Sequence, residues 1–373
     1  MKYIGFYGTE NNIRSCSLAA VNKMNYISTA LGDSGYSTEI IVAGMEAPTA
    51  QEKTTEQIGR TAIAYFFKSY GRSSNKLKRI YNVLKSRFLL FLYCLKNIKK
   101  DEQVIVYHSL ELMRTIYFAK LFKGFKMILE VEEIYNDVKM RSFFSKNMEL
   151  RFINSADKYI FPTELLNEKC NPKSKPYILI HGTYQVDQDR NVRFNDDKTH
   201  VVYAGTFDPR KGGSISAIKA AQFLDSRYHL HVIGFGSEVD KNNLLKHIDE
   251  ASKQSECKIT FDGCLSGEEY IRFLQCCDIG LSTQNPNAAF NATSFPSKIL
   301  SYMANGLRVV SVNIPAIEGS AIGEYMYYYN SQTPEEIANA IKTVPFNDSY
   351  DGREIIKRLN EVFVNEIKKL VEE

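Results

Sequence analysis

Residues 201–213 read Val-Val-Tyr-Ala-Gly-Thr-Phe-Asp-Pro-Arg-Lys-Gly-Gly. An apolar, strand-forming run ends at Gly205, a short loop follows, and the pair Arg210-Lys211 precedes two glycines. After Gly213 apolar residues recur at helical spacing, so the stretch reads as strand, turn and helix. The start of a helix offers free N–H groups and the positive end of its dipole to an anion. A Lys there adds a point charge, and an Arg can grip two phosphate oxygens at once. The chemistry this suggests is stabilisation of a diphosphate, including one that departs as a leaving group.

The same alternation continues on both sides. Downstream, strands are expected at 200–204, 228–233, 258–261, 279–282 and 308–312, with helices at 213–224, 267–276, 297–304, 334–343 and 353–373. Upstream, strands are expected at 3–8, 38–43, 103–107, 127–131, 158–161 and 177–180, with helical stretches between them. Such alternation argues for parallel sheets covered on both faces. Polarity rises without apolar period over 185–199, QVDQDRNVRFNDDKT, which reads as a linker. The expected fold class is therefore α/β, with two Rossmann-like domains at 1–190 and 191–373. The final helix, about 353–373, is free to pack back on the first domain. Ligands of open α/β sheets bind beyond the carboxyl ends of the strands, so a cleft between two facing domains is the expected site.

The chain has 373 residues, too many for one ordinary core. A net charge of +4 gives no sign of a nucleic-acid partner. The seven cysteines form no Cys-x-x-Cys pair and have no histidine at zinc-finger spacing; they read as reduced, mostly buried thiols. No metal and no cofactor are expected. No run of about 18 uncharged apolar residues appears, and residues 1–8 lack the zones of a signal peptide. The expected location is the cytoplasm, peripheral to the inner face of the cell membrane. That last expectation rests on residues 57–100, which contain no Asp or Glu but carry Lys76, Lys78, Arg79, Lys85, Arg87 and Lys96 among aromatic and aliphatic residues. A basic amphipathic segment of this kind, taken here as 65–100, suits an anionic membrane surface. The run 88–93 reads as core in any case.

A second constellation spans 291–311: Asn-Ala-Thr-Ser-Phe-Pro-Ser-Lys-Ile-Leu-Ser-Tyr-Met-Ala-Asn-Gly-Leu-Arg-Val-Val-Ser. Ser297 is placed as an N-cap, Ile299, Leu300 and Met303 supply a buried face, and Gly306 stops the helix. The preceding loop carries hydroxyls (Thr293, Ser294, Ser297) and Lys298 towards the site. Acid–base candidates sit after first-domain strands: His108, then Glu130, Glu132 and Glu133, of which alternate residues share a face. His181 follows the strand at 177–180, and Thr9 and Glu10 lie in the first strand-to-helix loop. An Asp-x-Asp metal motif is missing; Asn195-Asp196-Asp197 comes nearest and falls in the linker.

Residues 200–345 resemble the C-terminal domain of bacterial glycosyltransferases related to family 4. The landmarks are Tyr203–Gly213, the segment His231-Val232-Ile233-Gly234-Phe235-Gly236, and Phe295–Ser311, with Asp262-Gly263 and Asp278-Ile279 between them. Segments 128–137 (ILEVEEIYND), 161–164 (FPTE) and 178–184 (ILIHGTY) resemble surface-polysaccharide transferases more loosely. The resemblance implies a GT-B fold. It also implies transfer of a sugar from a nucleotide-sugar, UDP by default, to a saccharide or lipid-linked acceptor. It places the donor on the second domain: Gly205, Thr206, Arg210, Lys211, Gly234, Thr293, Ser294, Ser297, Lys298 and Ser301. The first domain holds the acceptor side (Thr9, Glu10, His181) and the candidate bases His108, Glu132 and Glu133. The resemblance implies that basic groups and the helix dipole replace a metal. Family members often carry two Glu eight positions apart around this loop and helix; here Thr293 and Ser301 stand there. Retention or inversion of the anomeric centre therefore stays open. A sugar-nucleotide 2-epimerase on the same fold and a non-catalytic sugar-nucleotide-binding subunit are the competing readings.

Replacing Lys211 by Ala is expected to abolish donor binding while the protein stays folded. Calorimetry against circular dichroism checks this, and unchanged donor affinity would remove the assignment of the diphosphate site to 205–213.

Overall fold

Why the chain makes parallel sheets is visible in its strands. Residues such as Val104-Ile105-Val106, Met127-Ile128-Leu129 and Val201-Val202-Tyr203 are buried without alternation, as strands covered on both faces must be. The computed structural model describes residues 1–14, 16–44, 47–138, 143–208, 212–286 and 293–373. The chain divides into two compact units, Met1–Thr183 with Glu361–Glu373, and Tyr184–Asn360.

In unit 1 the strands are β1 (Lys2–Gly5), β2 (Thr38–Val42), β3 (Ala50–Gln51), β4 (Thr54–Ile58), β5 (Ala62–Phe66), β6 (Ser69–Tyr70), β7 (Gln103–Tyr107), β8 (Lys126–Glu130), β9 (Lys158–Phe161) and β10 (Tyr177–Leu179). The helices are α1 (Leu18–Asp33), α2 (Lys76–Asn97), α3 (Met113–Lys123), α4 (Tyr135–Val138), α5 (Phe143–Asn154) and α6 (Glu164–Cys170). The main sheet runs β10-β9-β8-β7-β1-β2-β5-β4. It is parallel except for β4, which returns antiparallel beside β5. Strand order reverses between β1 and β7. Loops after those two strands therefore lead to opposite faces and leave a crevice at their carboxyl ends. The segment Glu361–Glu373 closes this unit. Phe363 stacks on Tyr26 with ring centroids 5.4 Å apart, and Lys158 and Gln103 donate to the terminal carbonyls of Leu370 and Val371, groups a helix end leaves without partners.

Unit 2 contains β11 (Thr199–Thr206), β12 (Tyr228–Phe235), β13 (Lys258–Gly263), β14 (Ile279–Ser282), β15 (Arg308–Val312) and β16 (Met326–Tyr329). Its helices are α7 (Gly213–Ala220), α8 (Glu238–Ser252), α9 (Gly267–Gln275), α10 (Lys298–Ala304), α11 (Pro315–Glu318), α12 (Pro334–Lys342) and α13 (Gly352–Glu372), the last of which continues into Glu361–Glu373. The six strands are all parallel, in the order β13-β12-β11-β14-β15-β16. This is the doubly wound order, with its switch point between β11 and β14.

Most expected elements are present within a residue or two. The helix expected at 213–224 is α7 plus a 3₁₀ turn, Ala221–Phe223. No helix or strand occupies 185–198, as a linker requires. Within the basic segment taken as 65–100, residues 62–66 form β5 with Phe66 fully buried, and Lys76–Asn97 is helical. One expectation is corrected: the run 88–93 is not all core. Leu90 is buried, whereas Phe88 and Leu92 are exposed, because a helix cannot turn six successive side chains to one face. The strand β16 and the antiparallel β4 were not anticipated; the alternation of Thr54–Ile58 is too polar to register as a core strand. None of the seven cysteines forms a disulfide among the described residues.

Candidate nucleotide-sugar site

The carboxyl ends of the unit 2 strands bring together Gly205, Gly234 and Lys298, three of the residues that the sequence marks for the donor. β11 and β12 run in register through Gly205↔Gly234. Gly234 has φ of +142°, and a Cβ there would lie 1.8 Å from the Gly205 carbonyl oxygen; no other residue fits. The same close approach continues on the other side of β11. A Cβ on Gly205 would stand 3.2 Å from the Lys298 Nζ and 3.2 Å from the Tyr203 hydroxyl. The Lys298 ammonium lies 4.1 Å over the Tyr203 ring, a favourable cation–π position. Tyr203 also abuts the first residue of α7, where a Cβ on Gly213 would come within 2.7 Å of its hydroxyl. Thr283, just past β14, donates its hydroxyl to the Gly213 carbonyl at 2.6 Å. The start of α7, the end of β11 and Lys298 therefore meet at the switch point.

Lys298 is held there by the helix it opens. Tyr302, fully buried, accepts a hydrogen bond from the Ala204 amide at 2.8 Å. Its ring packs on Gly280 so closely that a Cβ there would fall 2.3 Å from it. Gly306, with φ of +87°, ends α10 as expected. Ser297 flanks α10 without a capping bond from its side chain, a departure from the N-cap expectation. Ser301 turns to α9, its hydroxyl 3.3 Å from that of Tyr270. Thr206, Thr293 and Ser294 lie half-buried near these strand ends. Arg210 and Lys211 lie outside the described residues. Sequence reasoning passed over Tyr203, Thr283 and Tyr302 as site residues, because their parts here come from neighbours far away in the chain.

In unit 1 the candidate bases fall at the carboxyl ends of adjacent strands. His108 follows β7, but its ring is 1% exposed, lying against Tyr135 and Phe152. Burial pushes its pKa down to about 4. Its Nε2 is 3.4 Å from Glu149 Oε1, a buried carboxylate that accepts the Tyr135 and Asn136 amides at the start of α4. Such an anion at a helix start satisfies its free N–H groups. Glu130 at the end of β8 is also fully buried, bonded to the Tyr3 hydroxyl and 3.8 Å from the Lys23 ammonium; burial raises its pKa. Glu132 pairs with the same Lys23 and keeps 31% of its side chain exposed. Glu133 is half-buried. His181 is buried, and its Nδ1–H donates to the Pro162 carbonyl at 2.7 Å. Thr9 closes a turn on Asn12, and Glu10 is exposed. Lys23 and Arg14 were not foreseen. Arg14 is 7% exposed and donates to the Phe67 carbonyl at 2.9 Å. Its Nε and Nη1 have no partner among the described residues.

Residues 198–344 match the family described as Glycosyl transferases group 1. Solved structures agree in fold over the whole length of the chain. Sucrose-phosphate synthase from Thermosynechococcus elongatus superposes with a TM-score of 0.69 at 13% identity, covering 100% of this chain and 98% of that one. HepE from Anabaena, solved with UDP and glucose, gives 0.65 at 13% identity, with 100% and 98% covered. A trehalose-6-phosphate protein from E. coli bound with UDP-2-fluoro glucose gives 0.65 at 11%, with 100% and 97% covered. These likenesses establish the GT-B fold of the chain. No curated protein matches its sequence.

A charge-assisted hydrogen bond contributes about 1.5–3 kcal/mol. Lys298→Met is accordingly expected to weaken binding of a nucleoside diphosphate by about 10- to 150-fold with the fold intact. Calorimetry with UDP checks this; unchanged affinity would mean that Lys298 serves only to pack on Tyr203.

Proposed function

We propose that this enzyme moves a sugar from a nucleotide-sugar, a UDP-sugar in the first instance, to a saccharide or lipid-linked acceptor in bacterial surface polysaccharide assembly. The observation that carries the donor half is the junction of Gly205, Gly213 and Lys298 at the unit 2 switch point. There the start of α7 and an ammonium group stand where a diphosphate needs positive charge. UDP in the solved HepE structure supports the choice of nucleotide. In this reading Gly205, Thr206 and Gly234 let the backbone approach the donor. Arg210, Lys211 and Lys298 bear the diphosphate charge as the sugar leaves, and no divalent cation is needed at that point. Thr293, Ser294, Ser297 and Ser301 offer hydroxyls for the ribose and phosphates. Proton removal from the acceptor falls to Glu132 or Glu133, which keep solvent contact, more readily than to the covered His108.

An anionic acceptor is supported by Arg14, whose two spare donors stand in the loop after β1. A pocket of about 390 Å³ lined by Gly71, Arg72, Arg79, Asn82 and Ser86 offers further cationic lining in the same unit. Membrane docking is supported by α2. Leu77, Ile80, Tyr81, Leu84, Phe88 and Leu92 form one exposed stripe along it, at the spacing of a single helical face. Phe91 meets Phe122 of α3 edge-on at 6.0 Å, which joins the stripe to the exposed Phe118, Leu121 and Phe122. Cations flank the stripe. No helix among the described residues is long and apolar enough to cross a membrane, so this face would lie on a surface.

Nucleotide release over a panel of UDP-, GDP- and dTDP-sugars, with lipid-linked acceptors from bacterial membranes and no added Mg²⁺ or Mn²⁺, tests the reaction. Acceptor-dependent release from a UDP-sugar, not increased by either cation, is expected. Release without acceptor would favour the epimerase, and binding without release the non-catalytic subunit.

Neutral replacements of Lys76, Lys78, Arg79, Lys85 and Arg87 are expected to lower affinity for phosphatidylserine vesicles by at least about 100-fold, at about 1 kcal/mol per charge near the surface. Co-sedimentation measures it, and unchanged binding would end the membrane assignment.

A further inference from the structure

At the other end of the unit 2 sheet, His200 and His229 occupy the second positions of β11 and β12, and His231 stands two residues on, on the same face. All three are buried. One ligand atom from each lies within 4.8 Å of the others, the one such group among the described residues. The surrounding bonds decide what the nitrogens can do. The His200 Nε2 lies 2.8 Å from an Asp196 carboxylate oxygen. The His231 Nδ1 lies 3.1 Å from Asp262 Oδ2. A carboxylate only accepts, so each of these nitrogens carries its ring's proton. The Thr260 hydroxyl donates to Asp262 at 2.8 Å and so accepts from His229 Nε2 at 3.0 Å. Each ring has then placed its one proton outward. His200 Nδ1, His231 Nε2 and His229 Nδ1 are left with lone pairs.

Two of those lone pairs face each other directly, with His200 Nδ1 only 2.9 Å from His231 Nε2. With both rings neutral there is no hydrogen to share, so either one added proton or a metal ion must serve both nitrogens. We propose that His200, His229 and His231 form a binding site for a zinc-class divalent ion, with Asp196, Asp262 and Thr260 orienting the rings from behind. Three imidazoles suit zinc, and histidine ligands usually donate their second ring N–H to a carboxylate or similar acceptor. Tetrahedral coordination at about 2.0–2.1 Å places neighbouring nitrogens roughly 3.3 Å apart. His200 and His231 therefore open by some tenths of an ångström while His229 closes in. Phe194 stacks on His200 and His231 at 4.1 and 4.8 Å and shields the site from water. These residues lie towards the amino ends of β11 and β12, away from Gly205 and Gly234 at their carboxyl ends. The ion would thus tie two central strands and the 194–196 segment together without touching the donor.

The test uses the full chain, stripped by chelator and then titrated with Co²⁺ and Zn²⁺. Expected are Co²⁺ visible bands of tetrahedral intensity, displaced by Zn²⁺, and a Zn²⁺-dependent rise in Tm that EDTA reverses. His229→Gln and His231→Gln are expected to lose the bands, and Asp262→Asn to weaken Zn²⁺ about 10- to 100-fold, whereas His247→Gln on α8 leaves both unchanged. If a His variant fails to fold, the wild-type titration and Asp262→Asn still decide. Absence of bands and of any Tm response in the wild-type chain overturns the proposal, as does full Co²⁺ binding by the folded variants; a shared proton would then be what holds His200 to His231.

Discussion

The carboxyl end of the unit 2 sheet depends on how closely two strand backbones can approach. With Gly205 and Gly234 paired in register, nothing but hydrogen fits between the Gly234 Cα and the Gly205 carbonyl. That closeness lets the ends of β11 and β12 lie open to a ligand and lets Lys298 reach across Tyr203 to the Gly205 backbone. Tyr302 supports the same junction from below. Its hydroxyl takes the Ala204 amide and its ring sits on Gly280, so α10, and Lys298 with it, is seated on β11 and β14 at once. A side chain at any of these glycines would lift the helix or splay the strands.

Unit 1 solves a different problem, that of holding charge inside a parallel sheet. Glu130 and Glu149 are fully buried. A lone buried carboxylate is costly, so each has donors or a cation beside it. Glu149 takes amides at the start of α4, while Glu130 leans on the Tyr3 hydroxyl and on Lys23, which it shares with Glu132. Removing Lys23 would therefore leave Glu130 short of a counter-charge and release Glu132, coupling the core of the unit to a carboxylate that meets solvent. The same region shows why strand-end position alone does not make a base: His108 is at the right end of β7, yet Tyr135 and Phe152 enclose it.

The fold was legible where apolar runs were long and unbroken. Central strands such as β7, β8 and β11 are buried on both faces, and their composition says so. The polar β4 carries no such signal and takes its place by pairing with β5. The donor residues were legible in part, because glycines with close neighbours and a Lys at a helix start leave marks in sequence. Tyr203, Thr283 and Arg14 leave none, since their roles come from neighbours far away in the chain. The histidines on β11 and β12 show the same limit. Their spacing matches no metal motif, and only the register His200↔His229 puts three rings on one patch of sheet.

The sequence by itself determined the alternation of strands and helices and the glycines at which strands β11 and β12 approach each other. Those features are local: period, composition and turn chemistry act over a few residues. Only the tertiary structure decided the order of the strands, and so where each switch point lies. It also decided which face of α2 is left exposed, which of the candidate acids and bases meets solvent, and how three separated histidines come together. Each of these depends on pairing between segments tens of residues apart, and a local pattern holds no record of which partner a strand will choose.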